Sequence, residues 1–295
     1  MPETINFPYI VSGGALNWPV MPMVAFRELR RAYGEVRVAV RESDDGIAEA
    51  FKVRDLFSEP RTLMPLSKYI DLITQPSCGD GARPPYAGNI SLQEGAAVSR
   101  RLAPIMHGCR FPDWIPPKPS DKYRLWIAAA GQRSAIHNDP YDNFNVQLAG
   151  RKYFMLLAPC QHRFLYPVFR HTGLWASPVD PRRPNLDAFP EFAKAEIYEC
   201  ELEPGDILFL PRFWWHFANA TTPCINVNRW VFPDEGGCIW WHQQPEGRGM
   251  IDYEAMLGAI RTQFESLPPE SQQLAKPQFE ELQADVARFL NTPVS

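Results

Sequence analysis

The stretch "IHNDPYDNFNVQLAGRKYFML", Ile136 to Leu156, has the form of two strands around a turn at Ala149-Gly150. Alternate residues of a strand share a face. Read as one strand, its first half points His137, Asp139, Asn143, Asn145 and Gln147 to the same side, while Phe144, Val146 and Leu148 point to the other. Amides and ionisable groups are unfavourable in a core unless they find partners. The apolar alternates imply that both faces are covered, so the polar face is expected to line a cavity.

His137 and Asp139 are two positions apart, and their side chains can converge on a point just off the sheet. Imidazole and carboxylate together suit iron, among other divalent metals. A third ligand must come from another strand, and "EPGDILFLPRFWWHFANA" (203–220) offers His216. There Pro204-Gly205-Asp206 reads as a turn, Ile207 to Leu210 as a buried strand, and His216 as the start of the next strand. Two histidines and one carboxylate fill one face of an octahedron and leave the opposite positions for a bidentate cosubstrate and dioxygen. Lys152 follows on the returning strand. A buried ammonium is costly unless paired, and the far carboxylate of a dicarboxylic acid bound to the metal would pair it. Arg151, sent the opposite way by alternation, is the surface residue. Ser134 can add a hydroxyl to the same carboxylate. On "CINVNRW" (224–230), Asn226, Asn228 and Trp230 share a face that would join Asn143 in the cavity wall.

Of 295 residues, 45% are hydrophobic and 22% charged, values of an ordinary globular protein. A net charge of −4, without a basic tail, does not suggest nucleic acid. No apolar run approaches the roughly 18 residues of a membrane helix, and "MPETINFPYIVSGG" lacks the features of a signal peptide. The six cysteines (Cys78, Cys109, Cys160, Cys200, Cys224, Cys238) form no close pairs or zinc spacing and read as reduced, which fits a cytoplasmic protein. Thirty prolines and nine tryptophans suggest short strands and ordered loops rather than a helical bundle.

Toward the N-terminus, "MVAFRELRRAYG" has helical spacing ending at Gly34, "EVRVAV" alternates as a strand, and "LSKYIDLIT" reads as a second helix. "GNISLQ" is a strand within the Pro/Gly-rich 76–120 region, and from 123 onward strand signals dominate. The proline-rich insertion 164–193 reads as a loop over a site, with the aromatic runs Tyr166 to Trp175 and Trp230 to Trp241 as candidate groove linings. After Gly249, "IDYEAMLGAIRTQF" and "PQFEELQADVARFL" carry apolar helical stripes. The organisation expected is a β-rich domain over 1–248 with an N-terminal α/β flank, and a C-terminal helical segment, 249–295, that caps it or pairs with a second copy.

From "YIVSGGALNWP" through "NRWVF", the sequence resembles the cupin-like JmjC group of iron(II)- and 2-oxoglutarate-dependent oxygenases. Within that group it looks most like the asparaginyl hydroxylase type that inhibits hypoxia-inducible factor. "HNDPYDNFNVQLAGRKYFMLLAP" matches the first ligand strand and its lysine-bearing return, and "PGDILFLPRFWWHFANA" matches the segment bearing the last ligand. The resemblance implies a mainly β fold, a double-stranded β-helix (jelly-roll) with flanking helices at both ends. It implies that His137, Asp139 and His216 bind Fe(2+), that Lys152 and Ser134 hold the distal carboxylate of 2-oxoglutarate, and that Asn143 and Asn228 lie by its chelating end. Ser91 stands where the relatives place a tyrosine against the cosubstrate, while Gln93 and Trp230 are candidate substrate contacts. The implied reaction uses O2 and 2-oxoglutarate to hydroxylate a C–H bond, with succinate and CO2 as coproducts. Halogenating relatives lack a ligating carboxylate at the position of Asp139, so its presence favours hydroxylation. The implied substrate is an amino-acid side chain in a peptide or protein, or a free amino acid. Homodimerisation through C-terminal helices is also implied. Rival readings are an N-methyl-lysine demethylase, a tRNA-base hydroxylase, and a cupin-like module that only binds a small acid.

Overall fold

A computed structural model describes residues 7–41, 61–75, 86–92, 97–112, 116–118, 121–139, 141–169 and 175–231, together with helical positions 261, 265, 269, 272, 273, 276 and 280. Gln93 and nearly all of 249–295, with its expected helices, lie outside the described residues.

Two six-stranded sheets form the body. With strands numbered along the chain, the first sheet runs β1 (Tyr9–Val11), β12 (Ile207–Leu210), β7 (Asp142–Ala149), β14 (Cys224–Val231), β5 (Lys122–Ala128) and β4 (Ala87–Ser91). The second runs β11 (Tyr198–Leu202), β8 (Lys152–Leu157), β13 (Trp215–Ala220), β6 (His137–Asn138), β10 (Trp175–Ala176) and β9 (Val168–Phe169). Every pairing within them is antiparallel. From β5 to β8 and again from β11 to β14, the chain alternates between the sheets, so sequence neighbours face each other across the interior. This is the jelly-roll arrangement expected, with open edges rather than a closed barrel.

The outer face of the first sheet carries Leu125, Ile127, Phe144, Val146, Ile207, Phe209, Ile225 and Val227, all buried. They pack against the N-terminal flank, which comprises α1 (Phe26–Tyr33), the ribbon of β2 (Arg37–Arg41) and β3 (Arg61–Pro65), α2 (Leu66–Thr74) and α3 (Ala97–His107). Both helices read from "MVAFRELRRAYG" and "LSKYIDLIT" are present. Gly34 ends α1 at φ −56°, so the terminator works without a left-handed backbone. Inside the sandwich, Phe154, Leu156, Leu202, Leu208, Leu210 and Trp214 form a separate apolar cluster.

Three readings need correction. The residues 137–147 are not one strand: β6 belongs to the second sheet and β7 to the first. Pro140 lies between them in sequence and can donate no ladder hydrogen bond. The turn at Gly150 is likewise not a hairpin, because β7 pairs with β12 and β14 while β8 pairs with β11 and β13. Gly150 crosses between sheets at φ 67°, and a Cβ there would sit 1.9 Å from the carbonyl oxygen of Pro223. Finally, the described part of the 164–193 insertion covers the back of the second sheet, not the cavity. Its Leu165, Val179 and Phe192 are buried against Met155, Leu157, Trp215 and Phe217, and Tyr166 stacks edge-on against Phe189 in that same layer. Tyr153, Met155 and Leu157 of β8 and Trp215 and Phe217 of β13 project to that side and needed a cover, which the insertion provides.

Arg229 and Asp121 form an ion pair at 2.8 Å with side chains 1% and 0% exposed. The Arg229 guanidinium also lies over Phe111 and Phe144. Removing one member of such a pair strands a buried charge, which costs about 3–5 kcal/mol. Asp121→Asn is therefore expected to lower the unfolding free energy by about that amount in urea denaturation, with the slope unchanged.

Candidate functional site

β6 and β13 are neighbours, and His137 and His216 are directly opposed Cα partners in that pairing. Their ring centroids are 4.0 Å apart. Asp139 follows the end of β6, and its Oδ2 lies 3.8 Å from His216 Nε2. One ligand atom from each of His137, Asp139 and His216 lies within 4.8 Å of the other two, and all three residues are buried.

Two links hold the segments in this relation. The Phe213 N–H donates to the Asp139 carbonyl at 2.7 Å. The Arg212 guanidinium clamps the carboxylate of Asp142, with Nη2 to Oδ2 at 2.9 Å, and its backbone N–H adds a bond to Oδ1 at 2.9 Å. Phe213 itself sits at φ 66°, a conformation that side-chain-bearing residues adopt at a cost. It turns the chain from Pro211 into the Trp214–His216 run.

Each imidazole has Nδ1 against a backbone carbonyl, His137 with Ala135 at 3.0 Å and His216 with Trp214 at 3.1 Å. A carbonyl only accepts, so Nδ1 carries the proton and the lone pair of the neutral ring is on Nε2. This is the orientation a metal-binding histidine takes. Burial, and then the neighbouring His216 ring, hold His137 well below the usual imidazole range, while burial pushes His216 down to about 4. Burial pushes Asp139 up to about 7, opposed by a hydrogen bond from Tyr141. Two neutral imidazoles and a carboxylate reluctant to ionise form a set that a divalent cation would stabilise.

The three residues open onto a cavity of about 160 Å³ between the sheets. Ser134, Asn143, Lys152, Asn228 and Trp230 line it too. Lys152 Nζ donates to Asn226 Oδ1 at 2.9 Å, Asn226 Nδ2 to Asn228 Oδ1 at 2.9 Å, and Asn228 Nδ2 to Asn143 Oδ1 at 2.9 Å. This amide chain joins the ammonium at one end of the wall to Asn143 at the other. Lys152 has no carboxylate partner among the described residues, and burial lowers its pKa. Its neighbour Arg151 is exposed and pairs with Glu201 at 3.6 Å. Ser134 Oγ accepts the Ala218 N–H at 3.0 Å, which leaves its own hydroxyl proton to donate.

Ser91 lies on β4 and receives a bond from Arg124 Nη1 at 3.3 Å. It is not in the cavity wall, whose tyrosines are Tyr86 and Tyr141. With Trp126 and Trp230 these make an aromatic side: Tyr86 stacks on Trp126 at 6.2 Å, Trp126 meets Trp230 edge-on at 6.3 Å, and Tyr141 lies 4.9 Å from Trp230. Of this group the sequence reading named only Trp230. A signal for Trp126 existed, since alternation in "YRLWIAA" sets Arg124, Trp126 and Ala128 against the buried Leu125 and Ile127. The indole N–H groups of Trp126 and Trp230 are buried without a hydrogen-bond partner among the described residues.

A family model described as a cupin-like domain matches residues 4–234. Human "Bifunctional peptidase and (3S)-lysyl hydroxylase JMJD7" is 22% identical over 250 residues, covering 76% of this chain and 77% of that protein. "Lysine-specific demethylase 8" of Xenopus tropicalis is 37% identical over 105 residues, covering 36% and 24% respectively. Human "HSPB1-associated protein 1" is 33% identical over 126 residues, covering 41% and 26%. The matches thus span about a quarter of the length of the last two relatives.

Replacing Asn226 by Leu would remove the acceptor of Lys152 and the donor to Asn228 Oδ1, while the bond from Asn228 to Asn143 remains. A loss of about 1–3 kcal/mol is expected from chemical denaturation, the usual cost of orphaning buried polar groups.

Proposed function

Because the chain belongs to the cupin-like domain family, we propose that it is an iron(II)- and 2-oxoglutarate-dependent oxygenase that hydroxylates an amino-acid side chain of a peptide or protein. The observation that carries this reading is the meeting of His137, Asp139 and His216 ligand atoms within 4.8 Å at the wall of a cavity that also holds Lys152.

The residues suit the two groups. Nε2 of each histidine and one Asp139 oxygen would hold Fe(2+) on one face. Bound iron with 2-oxoglutarate and O2 supplies the oxidising chemistry, with succinate and CO2 as coproducts. Lys152 meets no carboxylate among the described residues, so the distal carboxylate of 2-oxoglutarate would neutralise it, with the Ser134 hydroxyl as a second donor. Asn143 and Asn228 hold each other in place and would flank the chelating end. The aromatic side, Tyr86, Trp126, Tyr141 and Trp230, would exclude water and receive the apolar stem of the target side chain. Sequestration of this kind limits side reactions of a strong oxidant.

The names of two relatives specify a lysyl hydroxylase and a lysine demethylase. On this chain the two outcomes are separable by the product. Hydroxylation adds one oxygen to the peptide mass, whereas demethylation removes a methylene and releases formaldehyde. We favour hydroxylation, since a lysyl hydroxylase is matched across most of both chains.

The test is oxygen-dependent conversion of 2-oxoglutarate to succinate with added Fe(2+), paired with the visible charge-transfer absorption of the anaerobic ferrous complex. His137→Ala, Asp139→Ala and His216→Ala are each expected to lose both signals. Lys152→Met should raise the concentration of 2-oxoglutarate needed by at least about tenfold. Wild-type protein with neither turnover nor absorption would overturn the reading.

Proton competition gives a further check. Burial pushes the Asp139 carboxyl up to about 7, so metal binding must expel its proton below that pH. His216 is already neutral above about 4 and does not compete there. Mn(2+) affinity by calorimetry is therefore expected to be flat above pH 7 and to weaken about tenfold per unit below it.

A further inference from the structure

Beside the ligand cavity lies a second, larger one of about 690 Å³, at the surface where the turn after β5 meets the end of β13 and the 180–183 segment. Gln132 and Arg133 line both cavities, so the two share a wall. The ionisable residues around the second are Arg133, Asp180, Arg182 and Arg183, three cations to one anion on a chain whose net charge is −4.

Arg133 is the most constrained of them, with a side chain 15% exposed. It meets Asp180 through one nitrogen, Nη1, at 3.1 Å from Oδ2 and 3.3 Å from Oδ1. Its Nε is buried and has no hydrogen-bond partner among the described residues. Elsewhere the same edge is filled. Arg30 uses Nε and Nη2 on Asp71 at 2.8 and 2.9 Å, and Arg212 uses them on Asp142 at 3.3 and 2.9 Å. In Arg133 this fork faces no carboxylate of the described chain. A planar two-donor edge matches the two oxygens of a carboxylate.

We propose that the second cavity is an anion subsite, in which the Arg133 guanidinium, backed by Arg182 and Arg183, takes the side-chain carboxylate of an acidic peptide. Resting on the oxygenase reading, this makes Arg133 a specificity residue: an acidic residue held here would place a neighbouring side chain at the shared wall and so at the metal-facing cavity. Asp180 then has two effects. It orients Arg133 through Nη1, and it lowers the net positive charge that the incoming carboxylate meets.

The experiment titrates the full chain, with and without Mn(2+) and 2-oxoglutarate, by calorimetry. The probes are the capped tripeptides acetyl-Glu-Glu-Glu-amide and acetyl-Gln-Gln-Gln-amide, and inorganic phosphate. Saturable binding of the glutamate peptide is expected at about 1 mM, with the glutamine peptide at least about tenfold weaker. Arg133→Gln should weaken glutamate-peptide binding at least about tenfold, and Asp180→Asn should strengthen it a few-fold because it removes a competing carboxylate. Opposite signs for these two variants separate recognition from damage to the fold, which would weaken binding in both. Equal binding of the two peptides, an unchanged Arg133→Gln, or weakening in both variants would overturn the proposal. So would Arg133-dependent binding of phosphate without binding of the glutamate peptide. The outcome is independent of turnover. Arg133-dependent glutamate binding in a chain that fails to convert 2-oxoglutarate keeps the subsite and removes the oxygenase, and normal conversion without glutamate preference does the reverse.

Discussion

His137 and His216 face each other because β6 and β13 pair in one particular antiparallel register. Strand side chains alternate, so a slip of one residue would send His216 into the apolar layer that holds Trp215 and Phe217 and bring one of those rings to the cavity. The register is held at several points along β13, which also runs against β8 from Trp215–Leu157 to Ala220–Lys152. That same ladder fixes where Lys152 stands relative to His216. One set of backbone hydrogen bonds thus positions both the candidate metal ligands and the cation across from them.

Around this register the molecule separates polar from apolar groups by layer rather than by depth. The flanking helices cover the outside of the first sheet, and Leu165, Val179 and Phe192 of the 164–193 insertion cover the outside of the second. Between the sheets, the end near β12 is filled by Leu208, Leu210 and Phe154, and the end near β6 holds histidines, an acid, a lysine and amides. Polar groups survive there because most of them are satisfied by one another, as in the run from Lys152 through Asn226 and Asn228 to Asn143. The groups whose charge is not answered within the described chain, Asp139 and Lys152, are those that a cation and an organic acid would complete.

Alternation reached the correct wall by a route that was partly wrong. Asn143 and Asn145 do face the cavity from β7, as their parity requires, with Phe144 and Val146 behind them. His137 and Asp139 share that numerical parity but arrive from the opposite sheet. The chain crosses over between Asn138 and Asp142, and two residue sets that looked like one face are two faces meeting. The insertion was misread in part for a related reason, since Leu165, Val179 and Phe192 back the second sheet while Asp180, Arg182 and Arg183 border the second cavity. Its prolines and aromatics resemble a loop over a site, but whether such a segment covers a cavity or the back of a sheet depends on which sheet face lacks a cover. Local composition does not carry that information.

Residue types and short-range spacing by themselves determined the β-rich body, the N-terminal helices, the polar strand face and the pairing of His137-x-Asp139 with a distant histidine, because alternation and turn chemistry act within a few residues. Only the tertiary structure decided which sheet each strand joins, that Tyr86, Trp126 and Tyr141 stand with Trp230, and that Arg133 lies at the wall between two cavities. Those relations join residues tens of positions apart, and they follow from strand register and layer packing, which are set by the whole chain at once.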